Sequence, residues 1–370
     1  MPKRSWILIF AVLALIAAAC GSDDAGEATT TTAATTTTAA TTTTAATTTT
    51  TTEAPGPTIG TEDDPIRVLF VPSVSANQIV IGGQKLARTL EEATGLKFTV
   101  NVPTSYASVI QEMCASPDNT MGFIPAQAYV LASELCGVNV ALKSLRFGYT
   151  EYWAEFIVSR DSEIASLDDL AGKTWAYPDA TSTSGFLVPS GLMLTLGITP
   201  GESFEAGGHS ATARAIYNGE ADFGTVFFSP SIDAEDTPIW DGTTAGADVP
   251  ADLVESCVLD ADGQIDCSGV FPRDARRNIR AEAPDVIQKV KILALSEPIP
   301  NDTMSFGPGF PEDLATLITQ AMSAYAINDP DGFKDAFDAY SWTSVATTND
   351  AEFDFIRSLV QALGITVDDL

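Results

Sequence analysis

The stretch Asp179-Ala180-Thr181-Ser182-Thr183-Ser184-Gly185-Phe186-Leu187-Val188-Pro189 runs four consecutive hydroxyl residues into a glycine, then into an apolar segment, Phe186 to Leu196, that stops at Gly197. This pattern predicts a helix whose first turn is crowded with hydroxyl groups. A helix start leaves backbone N–H groups unpaired and carries the positive end of the dipole. Serine and threonine add donors that rotate to suit a ligand, so the combination suits a tetrahedral oxyanion. Taken alone, the segment is better explained by ordinary N-capping, because caps far outnumber anion sites. Its surroundings reverse that balance. Thr174 to Tyr177 reads as a strand leading directly into it, and ligands of open α/β sheets sit beyond the carboxyl ends of strands.

Outward from this stretch, strand-like and helix-like segments alternate. Ile66 to Val71 is a compact apolar strand, Gln78 to Ala93 has helical composition and stops at Gly95, and Phe98 to Val102 is a second strand. Ser105 caps a helix through about Met113, Met121 to Ile124 is strand-like, and Pro125 starts another helix. This βαβα rhythm predicts a largely parallel sheet covered by helices. The rhythm restarts at Trp153 to Ser159. Ser166-Leu167-Asp168-Asp169 has capping-box form, and Ser210 to Asn218 is helical with Gly219 just past its end. Ala221 to Phe227 is strand-like, residues 231–270 resemble an elaborated insertion, and Val286 to Leu295 combines a helix end with a strand. Pro311 to Ala326, Asp331 to Ala339 and Glu352 to Leu363 read as closing helices. Two α/β lobes with a ligand between them fit this layout.

The N-terminus supplies an address. Lys3 and Arg4 precede the apolar run Trp6 to Ile16, which ends in Ala17-Ala18-Ala19-Cys20-Gly21. A basic start, a short apolar core and small residues make a secretory signal, and the run is short for a permanent span. A cysteine directly after small residues resembles the bacterial lipobox, which implies cleavage before Cys20 and a diacylglycerol on its sulfur. Gly21 to about Thr61 is rich in Thr and Ala and cannot bury a core; it is expected to act as a disordered spacer. Removing Lys3 and Arg4 takes the formal charge from −30 to −32. Such acidity argues against nucleic acid and against adsorption to anionic lipid, and predicts that an anion site here rests on local donors. Four cysteines remain once Cys20 is set aside, and outside the cytoplasm they most simply form two disulfides. Cys257 and Cys267 flank an apparent hairpin turning at Asp260-Ala261-Asp262-Gly263, which leaves Cys114 with Cys136. A zinc site is the rival, but C-x-x-C spacing is missing and His209 is the one histidine. The Asp260–Gly263 segment also hints at calcium, without the ligand series or closing glutamate of a calcium loop.

In order along the chain, these segments resemble the substrate-binding proteins of phosphonate, phosphite and phosphate ABC transporters, the PhnD-like group. The carrying motifs are Thr104-Ser105-Tyr106-Ala107-Ser108-Val109-Ile110, Tyr152-Trp153 with Phe156-Ile157-Val158, Leu167-Asp168-Asp169-Leu170-Ala171-Gly172-Lys173, Ser182-Thr183-Ser184-Gly185, Gly208-His209, Asn218-Gly219-Glu220-Ala221-Asp222 and Pro298-Ile299-Pro300-Asn301-Asp302. The resemblance covers about Ile66 to Leu363. It implies an α/β, type II periplasmic-binding-protein fold, two hinged lobes with the ligand in the interlobe cleft. The expected organisation is a signal segment over 1–19, a lipid-anchored linker over 20–61, a first lobe from 62–152 and 299–370, and a second lobe over 153–298. The ligand set implied is Tyr106, Tyr152, Ser182, Thr183, Ser184, His209 and Asp302. Ser182, Thr183 and Ser184 would donate hydroxyl and backbone bonds to phosphoryl oxygens. His209 would donate an imidazole N–H, and beside a dianion its pKa is expected to rise. Tyr106 and Tyr152 would donate phenol bonds. Asp302 would accept from a protonated P–OH.

Relatives that bind aminoethylphosphonate carry a glutamate about twenty residues after the site histidine. Here that region reads Val226-Phe227-Phe228-Ser229-Pro230, without an acid at Ser229. The expected ligand is therefore a small phosphorus oxyanion: phosphite, phosphate or methylphosphonate. The sequence also departs from relatives at Phe123-Ile124-Pro125 and at Thr303. The function implied is a monomeric binding protein held by its lipid at the outer face of the bacterial cytoplasmic membrane, delivering its ligand to an ABC permease and needing no metal or other cofactor. A ligand-sensing lipoprotein that feeds no transporter is an alternative. A phosphate-ester hydrolase using His209 and a serine is another, but no G-x-S-x-G elbow or second histidine supports it.

Overall fold

The computed structural model describes residues 59–366. The signal segment, Cys20 and nearly all of the Thr/Ala-rich linker lie outside the described residues. The first sheet begins with β1 (Ile66–Phe70), β2 (Phe98–Asn101) and β3 (Thr120–Ile124), which alternate with α1 (Ala76–Thr94), α2 (Tyr106–Ala115) and α3 (Ala126–Cys136). β1 pairs in parallel with β2 and with β3, as helical crossovers require. α1 stops at Gly95, whose φ of 74° is the left-handed conformation of a helix C-cap. Ser105 caps α2 by accepting the N–H of Ser108.

β4 (Asn139–Leu145) follows and leads into a tight reversal. Arg146 and Tyr149 exchange two backbone hydrogen bonds of 3.0 Å, with Phe147 and Gly148 between them at φ 51° and 86°. Two positive φ values in a two-residue loop match the natural strand twist. The chain then enters the second sheet through β5 (Glu151–Ser159), β6 (Trp175–Tyr177), β7 (Ser203–Glu205) and β8 (Phe223–Phe228), packed with α4 (Val188–Leu196) and α5 (His209–Asn218). Residues 231–270 fold without a long element and end in a small hairpin, β9 (Val258–Leu259) with β10 (Ile265–Asp266). Cys257–Cys267 clamps that hairpin, and Cys114–Cys136 ties the end of α2 to the end of α3.

After the short α6 (Val286–Lys289), β11 (Val290–Leu295) and β12 (Ile299–Pro300) both pair with β5. The chain returns to the first sheet as β13 (Thr303–Phe306), α7 (Glu312–Asn328), α8 (Pro330–Ala336), β14 (Ser344–Thr347) and α9 (Asp354–Ala362). The strand orders are β14-β4-β13-β3-β1-β2 and β11-β5-β8-β6-β7. The expectation of a largely parallel sheet needs correction, because both sheets are mixed. Each has a parallel core, β2-β1-β3 or β7-β6-β8. Antiparallel strands flank that core: β13, β4 and β14 in the first sheet, β5 and β11 in the second. β13, β14 and β5 run against the crossover-connected strands, whereas β4 and β11 run with them but pair only with antiparallel neighbours.

In the core of the first lobe, Phe70 stacks on Phe123 and Phe337 on Trp342, and the two pairs meet edge-on or tilted, with ring centroids 4.8 to 6.5 Å apart. In the second, Trp175 lies between Phe186 and Phe223, parallel to both. Glu155 on β5 is fully buried and neither carboxyl oxygen has a protein partner. Burial, and next the Asp274 carboxylate, push it well above the usual carboxylate range.

Candidate anion-binding cleft

The hydroxyl run follows β6 as its sequence predicts. Ser182 is the N-cap and accepts the N–H of Gly185 at 3.2 Å. The first turn, Thr183 to Leu187, is wound wider than an α-helix before α4 continues to Leu196 and ends at Gly197, φ 71°. Gly185 is required by space, since a Cβ there would lie 2.0 Å from Pro178 Cγ.

Helix starts of the first lobe meet this turn. The N–H of Tyr106, first residue of α2, donates to Asp179 Oδ2 at 3.2 Å. The N–H of Gln127 in the first turn of α3 donates to Thr183 Oγ1 at 2.7 Å, and its side-chain amide donates to the Ala180 carbonyl at 3.1 Å. The N–H of His209, at the start of α5, donates to the Ser73 carbonyl beyond β1 at 2.7 Å. Orphan donors of two first-lobe helices are thus satisfied by the second lobe, and one second-lobe helix start is satisfied by the first.

Between these contacts lies a cavity of about 20 Å³, counted as room for the centres of water-sized atoms, lined by Tyr106, Tyr152, Ser182, Ser184, His209 and Asp302. Six of the seven residues expected from the sequence therefore converge. Thr183 is not on the wall, because its hydroxyl is committed to α3. Ser73, Arg146, Phe227 and Tyr340 complete the polar and aromatic lining. Ser229 is buried just past β8 with an unpartnered hydroxyl, outside the cavity wall. Size does not mark this site: a groove of about 460 Å³ beside Lys85, Arg273, Arg277 and Lys334 is far larger. The small cavity is distinguished by buried polar groups that converge.

Arg146 is the residue the sequence reasoning missed. It is 3 % exposed, and Nη2 pairs with Asp302 Oδ2. Its guanidinium lies 4.4 Å from the centroid of the Tyr152 ring and 5.7 Å from that of Phe227. Nε and Nη1 have no protein partner. Among the local donors that line the cavity is thus a buried cation, on a chain whose net charge is strongly negative. The two members of the pair come from adjacent crossings. Ser144 N–H donates to the Asp302 carbonyl at 2.9 Å, and the Asn301 amide donates to the carbonyls of Ser144 and Tyr149, 3.0 Å each. The signal in the sequence was Arg146 standing directly before Phe147-Gly148, a two-residue turn.

His209 Nε2 lies 3.4 Å from Ser182 Oγ, Nδ1 has no protein partner, and the ring packs edge-on against Phe227 at 5.1 Å. Burial, then the Arg146 charge, press its pKa down to about 3. The expected rise belongs to a dianion beside the ring. The protein surroundings act in the opposite sense, and by themselves they keep the imidazole neutral. Burial raises the phenols of Tyr106 and Tyr152 above their usual value, so both remain donors at any physiological pH.

Two mixed α/β lobes, crossed by hinge strands and closed over a donor-lined cavity, define a type II periplasmic binding protein. Residues 68–353 match the family of periplasmic substrate-binding proteins of phosphonate ABC transporters, and the chain belongs to that family. A phosphonate-transporter binding protein of Pseudomonas aeruginosa shares the fold with a TM-score of 0.59 at 17% identity, over 80% of this chain and 84% of that one. PhnD1 of Prochlorococcus marinus, solved in complex with methylphosphonate, does so with a TM-score of 0.59 at 12% identity, over 81% and 98%. The phosphate-import protein PhnD of Mycolicibacterium smegmatis is 28% identical over 177 residues, 44% of this chain and 54% of that protein. The phosphonates-binding periplasmic protein of Escherichia coli is 29% identical over 143 residues, 37% and 42% of the two chains. The chain spans about half the length of the curated relatives it matches.

Proposed function

We propose that this protein is the extracytoplasmic binding component of an ABC importer and captures a small phosphorus oxyanion, namely phosphate, phosphite or methylphosphonate, without turning it over. One observation carries the reading: the cleft closes on a cavity of about 20 Å³ with hydroxyl, phenol, imidazole and guanidinium donors on its wall. Small-molecule pockets usually measure roughly 300–1,000 Å³. A space this small suits a compact ion and leaves no room for a long tail, in line with the missing acid at Ser229. Relatives described as handling phosphate or phosphonates favour the same ligand class. Delivery would use the signal segment, a lipid on Cys20 and the Thr/Ala-rich linker as a tether to the outer face of the membrane, with a permease as the receiving partner.

The test is a thermal-shift and calorimetric screen of phosphate, phosphite, methylphosphonate, aminoethylphosphonate and sulfate. Binding to the native state alone raises apparent stability by mass action. The first three should shift the protein upward, and aminoethylphosphonate should fall behind them. Absence of a shift with all three would overturn the ligand assignment. For the tether, cells fed a labelled fatty acid should incorporate it into the parent protein and not into Cys20→Ser; an unlabelled parent would refute lipid anchoring.

A further inference from the structure

We propose that Arg146 is a ligand-binding and specificity-determining residue of this cleft, positioned by Asp302, and that their neutral pair makes the cleft take a singly charged oxyanion in preference to a doubly charged one. The inference rests on the phosphorus-oxyanion reading above and adds the charge state that the site selects.

The first support is donor chemistry. A guanidinium has only donors and keeps its charge under all physiological conditions. Asp302 occupies one nitrogen, while Nε and Nη1 are left without protein partners on a residue 3 % exposed that lines the cavity. Buried donors on a charged group are costly to leave unmet, and an oxyanion in the cavity supplies acceptors. Rigidity is the second support. The guanidinium is held over the Tyr152 ring, and its backbone is closed in the two-residue hairpin with Tyr149. The cation therefore needs little reorganisation when a ligand arrives.

Charge balance is the third. The titratable groups sharing the cavity wall with Arg146 are Asp302 ahead of β13, Tyr152 on β5, His209 on α5, Tyr106 on α2 and Tyr340 beyond α8. Burial keeps the three phenols protonated, and His209 is neutral for the reasons given. Arg146 and Asp302 cancel. A monoanion then leaves one charge in a buried cleft, and a dianion leaves two. Asp302 thus sets selectivity through the cation it neutralises, a different role from the P–OH acceptor expected from the sequence.

The experiment measures affinity for phosphate and for sulfate, which stays doubly charged throughout, between pH 5.5 and 8.5. The proteins are the unaltered chain, Arg146→Gln, Asp302→Asn and the double variant. The unaltered chain should bind phosphate best on the acid side of the range and should bind sulfate poorly. Arg146→Gln should lose about tenfold or more for phosphate. Asp302→Asn, which adds a net positive charge, should move the sulfate-to-phosphate ratio toward sulfate by about tenfold. The double variant removes both charges, so it controls for misfolding caused by an unpaired buried carboxylate. It should fold and bind phosphate no worse than Arg146→Gln. Unchanged phosphate affinity in a folded Arg146→Gln or double variant would overturn the ligand role, and an unchanged ratio in Asp302→Asn would overturn the charge selection. If the unaltered chain binds none of phosphate, phosphite and methylphosphonate, the proposed function itself fails, an outcome separate from both.

Discussion

Replacing Gly208 by alanine should weaken ligand binding while leaving the protein folded. Gly208 holds φ 146° and ψ 163°, a region essentially restricted to glycine, where another residue costs about 1–3 kcal/mol. A Cβ there would lie 2.9 Å from the Pro72 carbonyl oxygen and 3.1 Å from that of Ser73. Both are backbone atoms and cannot swing aside. The neighbouring N–H of His209 donates to the same Ser73 carbonyl at 2.7 Å, so relieving the clash lengthens the bond that joins the lobes at this point. The backbone strain exists in open and closed forms and should appear as a lower melting temperature. The clash exists only where the lobes meet and should appear in affinity. Losing that bond with its donor left buried corresponds to about 1–3 kcal/mol, or roughly a 5- to 150-fold rise in Kd. Calorimetric titration with phosphate gives the Kd, and a ligand-free melt gives the strain. A folded Gly208→Ala protein with Kd within about twofold of the parent would show that the liganded lobes do not meet through this contact.

Ser184→Ala should weaken phosphate binding by about 1–3 kcal/mol through a lost hydrogen bond to a charged ligand, with the ligand-free melt unchanged; equal affinity would leave Ser184 as part of the helix start only. Thr183→Val keeps the shape but removes the acceptor for the Gln127 N–H, so closure should suffer by about 1–3 kcal/mol, read as weaker binding of every anion alike; a changed ligand ranking would instead place Thr183 on the ligand. Glu155→Gln tests the buried acid. Its folded pKa is raised, so above the ordinary carboxylate range the native state holds a proton that the unfolded chain releases. Stability therefore falls as pH rises toward the raised value. The variant should gain melting temperature over the parent between pH 4 and pH 8, and parallel profiles would contradict the assignment.

Much of the fold was legible because its signals are local. Glycine ends α1, α4 and α5 where the sequence places Gly95, Gly197 and Gly219, each in the left-handed conformation that a C-cap favours. The caps at Ser105 and Ser182 follow from hydroxyl residues ahead of apolar runs. β4 was not legible. Asn139-Val140-Ala141-Leu142-Lys143-Ser144-Leu145 has weak alternation, and the strand is held by β13 and β14, which lie more than 150 residues away in the chain. Missing β4 meant missing the hairpin after it, and with it Arg146. The direction of the flanking strands was misjudged for a related reason: local periodicity marks a strand and says nothing of its partner.

For the cleft, the sequence by itself determined the hydroxyl-rich helix start, its place after a strand, the one histidine and the family to which the chain belongs. These depend on residues close together in the chain or on an ordered series of short motifs. Only the tertiary structure decided how those donors are used. It turned Thr183 and Asp179 away from the cavity wall toward the helix starts of the opposite lobe, kept His209 neutral, and set Arg146 against Asp302. Each of these outcomes depends on burial and on charges brought together from distant segments, and a buried charge is governed by its neighbours in space rather than by its neighbours in sequence.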